Sequence, residues 1–170
     1  MTTVDELRAL QAPLKEKYRS DPTSALTPIH ATGDFRDPGI TCTVDGFAGP
    51  VRAGLHRATG GDGSDACSGD LLLEALVACA GVTCRSVATA MRIDYAGAAI
   101  EASSDFDARG TLGLDRSVDV GVGPIRLTIS LDTDADDATL AKLAELTERY
   151  CVVGQSLKSP PQVIVVRSRG

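Results

Sequence analysis

At 170 residues the chain is long enough for one ordinary hydrophobic core and too short to divide comfortably into two. A formal charge of −6, with 43% hydrophobic and 24% charged residues, describes a soluble globular protein and argues against nonspecific contact with nucleic acid or an anionic membrane. Aromatic residues make up only 4% and tryptophan is absent, so stacking platforms for bases or sugars are not evident.

The first predicted element is a helix over Asp5 to Tyr18 carrying Leu7, Leu10 and Leu14, which Pro13 should kink or divide because proline lacks an amide donor. Residues 1–25 therefore read as a peripheral helical segment, and 26–170 as a single domain. Short strands are expected at Ile29 to Thr32, Ile40 to Val44 and Val51 to Arg57, separated by the turn signals Asp37-Pro38-Gly39 and Asp45-Gly46, as an antiparallel meander. The run Thr59 to Ser64 is a glycine-rich turn that lacks the full arrangement of a phosphate loop.

The dominant feature follows, an oily, alanine-rich helix from about Gly69 to Ala90, with Ser68 as its expected cap and Asp70 in its first turn. Leu71, Leu72, Leu76, Val77, Ala78, Val82 and Val87 cover much of its circumference, so burial on several sides is expected. Strands are expected at Ala98 to Ala108 and Thr111 to Val120, and more firmly at Ile125 to Leu131, where apolar residues alternate. Asp134 and Asp136 introduce an amphipathic helix through Tyr150, followed by a break near Gly154 and a terminal strand over Val163 to Val166. The fold class is α+β.

The chemistry-bearing residues are the five cysteines Cys42, Cys67, Cys79, Cys84 and Cys151. An odd count argues against a complete set of structural disulfides, and the absence of an evident export signal suggests a cytoplasmic protein. Paired CxxC units are missing and His30 and His56 are the only histidines, so no metal centre is expected. No nicotinamide, flavin or haem motif is recognisable, so no cofactor is expected either. Cys79 lies in the interior of the long helix and Cys151 at the end of another. Each can be a packing residue, and together they can form a redox pair if the fold brings them into contact.

The segments GDLLLEALVACAGVT around Cys79, GPIRLTISL, and AELTERYCVVGQSL around Cys151 resemble the OsmC/Ohr superfamily of thiol-dependent peroxidases over about Thr27 to Val166. The resemblance implies an intertwined homodimer in which antiparallel sheets wrap long central helices, so that 26–170 is one OsmC-like domain. It also implies a Cys79 that attacks organic hydroperoxides, with hydrogen peroxide a poorer substrate, and a Cys151 that resolves the resulting sulfenic acid. The reductant would be an external dithiol, such as a lipoyl-bearing protein or a small thiol.

The family's activating arginine comes from the N-terminal sheet region; Arg36 is placed first, ahead of Arg52 and Arg57, while Arg85 lies about 600° around the helix from Cys79. Gly69 occupies the position of the family's arginine-holding glutamate, leaving Asp70 and Glu74 as substitutes, and the usual Cys-Pro-Val reads Cys151-Val152-Val153. Those departures keep two other readings open, a non-catalytic module for a small apolar ligand and a redox sensor. Cys84 and Cys42 read as core residues, Cys67 as an exposed secondary thiol, and His56 as a structural or surface donor.

Overall fold

The computed structural model describes residues 3–168. Helix α1 (Val4–Ser20) opens with a capping box: the Glu6 amide donates to Thr3 Oγ1 at 3.2 Å and the Thr3 amide donates to Glu6 Oε2 at 2.7 Å. Pro13 neither ends nor divides this helix, contrary to expectation. None of its residues is fully buried, so an interior proline costs one intrahelical bond without disturbing a core.

Strands β1 (Thr32–Asp34), β2 (Thr41–Gly46) and β3 (Gly49–Gly54) form the expected antiparallel meander, displaced by a few residues. A two-residue strand that the sequence did not reveal, β4 (Ala66–Cys67), pairs parallel with β3 and feeds directly into helix α2 (Ser68–Met91). Ser68 is the first helical residue rather than the cap; Cys67 holds the cap position and makes no side-chain bond there.

Among the described residues α2 is the helix long and apolar enough to cross a membrane. Within one chain it buries a single stripe, Leu76, Ala80, Cys84 and Ala88, at steps of four. Burial on several sides is therefore not achieved by the chain alone: Val82, on another face, is 73% exposed.

The second sheet has the order β5 (Ala98–Ser103), β6 (Arg126–Leu131), β7 (Gln162–Arg167). β5 and β6 are antiparallel, whereas β6 and β7 are parallel and joined through α4 (Asp137–Tyr150) and α5 (Val152–Gln155). The alternation read in β6 is real: Leu127, Ile129 and Leu131 turn inward, where α2 and α4 cover them. Asp136 caps α4 by accepting from the Thr139 amide at 2.7 Å.

The strand expected at Thr111 to Val120 is not formed, and β5 stops at Ser103. The segment instead makes the short turn of helix α3 (Ala108–Thr111) and irregular loops, with one isolated bridge between Phe106 and Val122. Local side-chain bonds take its amides: Asp107 accepts from the Arg109 amide at 3.0 Å and Asp115 from the Ser117 amide at 2.9 Å. Such bonds compete with a ladder and favour turns.

Candidate active site

Cys79 stands in the fourth turn of α2 and is half-buried, while Cys151 ends α4, caps α5 and is buried. Tertiary packing brings them together in one apolar cluster with Leu76, Ala80, Ile125 and Leu127, with Val153 against its edge. All five cysteines are free thiols.

The two thiols differ in acidity. Burial pushes the Cys79 thiol up, but hydrogen bonds from the Val153 amide, the Cys151 thiol, the Val152 amide and the Thr83 hydroxyl outweigh it, and the net direction is downward. For Cys151 the balance is reversed. Burial pushes it up and the adjoining Cys79 sulfur reinforces that, despite the Gly154 amide donating to Cys151 Sγ at 3.3 Å. Of the two, Cys79 is thus the more readily ionised thiol and Cys151 the less.

Three of these donors have an evident structural origin. Thr83 is one helical turn beyond Cys79, on the same face of α2, a spacing that helix periodicity alone would have flagged. Val152 and Val153 open α5, where the first amides of a helix have no carbonyl of their own to bond. Gly154 completes the turn by fitting closely: a Cβ there would lie 3.4 Å from Cys151 Sγ and 3.5 Å from the Pro161 ring.

The profile of the family described as OsmC-like protein matches residues 61–166, more than half of the chain. The chain belongs to the OsmC-like family. Among curated proteins no sequence matches it. Solved structures share the fold at low identity. An OsmC-like protein from Mycoplasma pneumoniae aligns at TM-score 0.66 and 14% identity over 84% of this chain and 99% of its own. An organic hydroperoxide resistance protein from Elizabethkingia anophelis aligns at 0.65 and 15% over 85% and 98%, and one from Legionella pneumophila at 0.62 and 16% over 85% and 98%.

In this OsmC-like chain Arg36 lies just after β1, Arg52 in β3, and Arg57 in the turn that follows β3. Arg36 donates through Nε to Asp34 at 2.6 Å and through a terminal nitrogen to Asp45 at 2.6 Å. Arg52 pairs with Asp65 at 2.5 Å, and the Arg57 guanidinium lies over Gly63. None of the three is among the groups that act on Cys79 within one chain. Arg85 is exposed on α2 and lines a cavity of about 430 Å³ with Cys84 and Tyr95.

Gly69 is half-buried, and Asp70 and Glu74 line a separate hollow of about 400 Å³ with Leu73, Val77, Ala78 and Ala102, one face away from the cysteine. Cys84 is buried beside the Thr147 hydroxyl, and burial pushes its thiol up. Cys67 and Cys42 are half-buried, so Cys67 is less exposed than expected. His56 accepts from the Ala58 amide at 3.0 Å and packs edge-on against Phe106, a role in joining loops.

Proposed function

We propose that this protein is a thiol-dependent peroxidase that reduces organic hydroperoxides, acting as a cytoplasmic homodimer and recharged by an external dithiol. The observation that carries this reading is the packing of two free thiols, Cys79 and Cys151, in one apolar cluster, where the surroundings make Cys79 the more acidic and Cys151 the less. The structural neighbours named as organic hydroperoxide resistance proteins support the choice of substrate.

In the first step the Cys79 thiolate attacks the distal peroxide oxygen. The S–O bond forms as the O–O bond breaks, and the departing alkoxide takes a proton to leave as the alcohol. Cysteine sulfur rises to the sulfenic level while the peroxide is reduced. In the second step Cys151 sulfur attacks the sulfenic sulfur. An S–S bond forms, the S–O bond breaks, and the Cys151 proton departs with the hydroxide as water. A dithiol such as a lipoyl group then exchanges with the disulfide and restores both thiols. The apolar wall of Leu76, Ile125 and Leu127 suits an alkyl substituent better than a bare peroxide, so hydrogen peroxide is the poorer substrate.

A homodimer is supported by the N-terminal sheet, whose Phe35, Ile40 and Phe47 are 86%, 76% and 111% exposed in the single chain. A second copy covering them also offers Arg36 a route to a Cys79 that it does not reach in its own chain. Stopped-flow reaction of the reduced protein with cumene hydroperoxide, followed by non-reducing peptide mapping, tests the reading. One equivalent of alcohol with a Cys79–Cys151 disulfide is expected; a dominant Cys79–Cys84 bond makes Cys84 the resolving thiol, and no oxidation removes the peroxidase assignment.

A further inference from the structure

Helix α4 does not run on into α5: the chain breaks at Cys151, whose φ −75° and ψ 103° are extended. In an unbroken helix the Glu148 carbonyl would receive the amide of residue 152. Among the described residues no main-chain amide takes it, and the side chain of Gln155 does, Nε2 donating to Glu148 O at 2.9 Å. The main-chain amide of the same residue donates to Cys151 O at 2.9 Å. Gln155 therefore spans the break twice, once onto the last turn of α4 and once onto the cysteine itself.

The other bonds of Cys151 come from the main chain. Its amide donates to Thr147 O at 3.0 Å, and its sulfur accepts from the Gly154 amide at 3.3 Å. These fix the residue within its own turn, while the angle between α4 and α5 is left to packing and to the Gln155 side chain that ties one helix to the other. Helix α5 packs against α2, which carries Cys79, so that angle sets where the Cys151 sulfur stands relative to Cys79.

We infer that Gln155 is a positioning residue for the resolving step, its side-chain amide closing the elbow between α4 and α5 and so aiming the Cys151 sulfur at an oxidised Cys79. The inference deepens the peroxidase reading and rests on it for the roles of the two thiols. The resolving attack is directional, and reactions between held groups lose rate steeply when the reacting atoms are misplaced. Gln155 is exposed, so substituting it removes no buried side chain.

The step can be followed without peroxide, using dithiobis(nitrobenzoate) on a protein with Cys42→Ser and Cys67→Ser. The Cys79 thiolate attacks the reagent's disulfide, forming a mixed disulfide and releasing one thionitrobenzoate. The Cys151 thiolate then attacks the Cys79 sulfur, forming the Cys79–Cys151 bond and releasing the second. Two thiols are oxidised, one aromatic disulfide is reduced to two thiolates, and two protons pass to solvent. The second release is independent of reagent concentration and reads the approach of Cys151 alone.

Gln155→Ala should slow the second release by roughly three- to tenfold, the rate equivalent of one net hydrogen bond, and leave the first at the native rate. Gln155→Glu keeps the size but presents an acceptor to an acceptor, and should be at least as slow. Gln155→Lys returns a donor of similar reach to a helix C-terminus, where a cation is favoured, and should recover most of the native rate. A general loosening of the fold would slow both releases and show no such rescue; circular dichroism checks that each variant is folded. A native second release in Gln155→Ala overturns the inference, as does a Gln155→Lys no faster than Gln155→Glu, or equal slowing of both releases. The expected pattern in a protein that does not reduce cumene hydroperoxide would keep the brace and remove only the peroxidase reading, whereas a native protein with no second release removes both.

Discussion

The two sheets of this chain are built from similar lengths of strand but are stabilised differently. In β5–β7 every inward residue of the central strand is covered, and Leu127 and Ile129 are fully buried beneath α2 and α4. In β1–β4 the only buried side chain is that of Thr43, tied to Asp37 at 2.5 Å, while the apolar residues of the connecting turns project outward. A sheet must bury one face against another layer, and among the described residues no helix of the same chain covers the first sheet. The site follows the same division: Cys79, Cys151 and all their donors lie on the packed half, whereas the candidate arginine lies on the uncovered half.

The largest expected effect tests whether the packed half alone carries the chemistry. Cys79→Ser should abolish the first oxidation with the fold intact, because a hydroxyl is a far weaker nucleophile and has no sulfenic state. Cys151→Ser should allow one oxidation and then stop turnover. Single-turnover alcohol release with sulfenic-acid trapping separates the two, and residual oxidation of Cys79→Ser at the native rate would move the nucleophile elsewhere.

The contrast in packing should appear in stability and in assembly. Leu127→Ala leaves a hole in a fully buried position and should cost about 2–5 kcal/mol in urea denaturation. Phe47→Asp lies where nothing in the chain covers it, so it should instead dissociate the proposed dimer in sedimentation velocity at matched concentration. A Phe47→Asp protein that remains dimeric would exclude that turn from the interface.

Arg36 asks whether the two halves meet across the dimer. With the guanidinium removed, Arg36→Ala should raise the Cys79 pKa and slow the first oxidation by roughly tenfold. An unchanged rate and titration would pass the role to Arg52 or Arg57. The subtlest effect is on pH. The first oxidation should rise with pH through a Cys79 pKa below the ordinary thiol range and then level off, while Cys151 alkylation should begin only above that range. Coincident titrations would contradict the opposed acidities.

The apolar run of α2, the alternation of β6 and the cap at Asp136 were legible because local periodicity and capping chemistry depend on neighbours in the chain. The strand expected at Thr111 to Val120 is not formed, because Asp107 and Asp115 accept from nearby amides and make turns there. Cys79 and Cys151 could be named through family resemblance, but their contact, and the opposite acidities it creates, required α2, α4 and α5 to pack together. The amides of Val152 and Val153 left no side-chain signal, since every residue except proline carries the same donor and only position gives it a partner. Sequence by itself determined the long helices, the alternating strand β6 and which atoms can do redox chemistry. The tertiary structure decided which thiol is the more acidic, because acidity depends on burial and on donors brought from elsewhere in the chain.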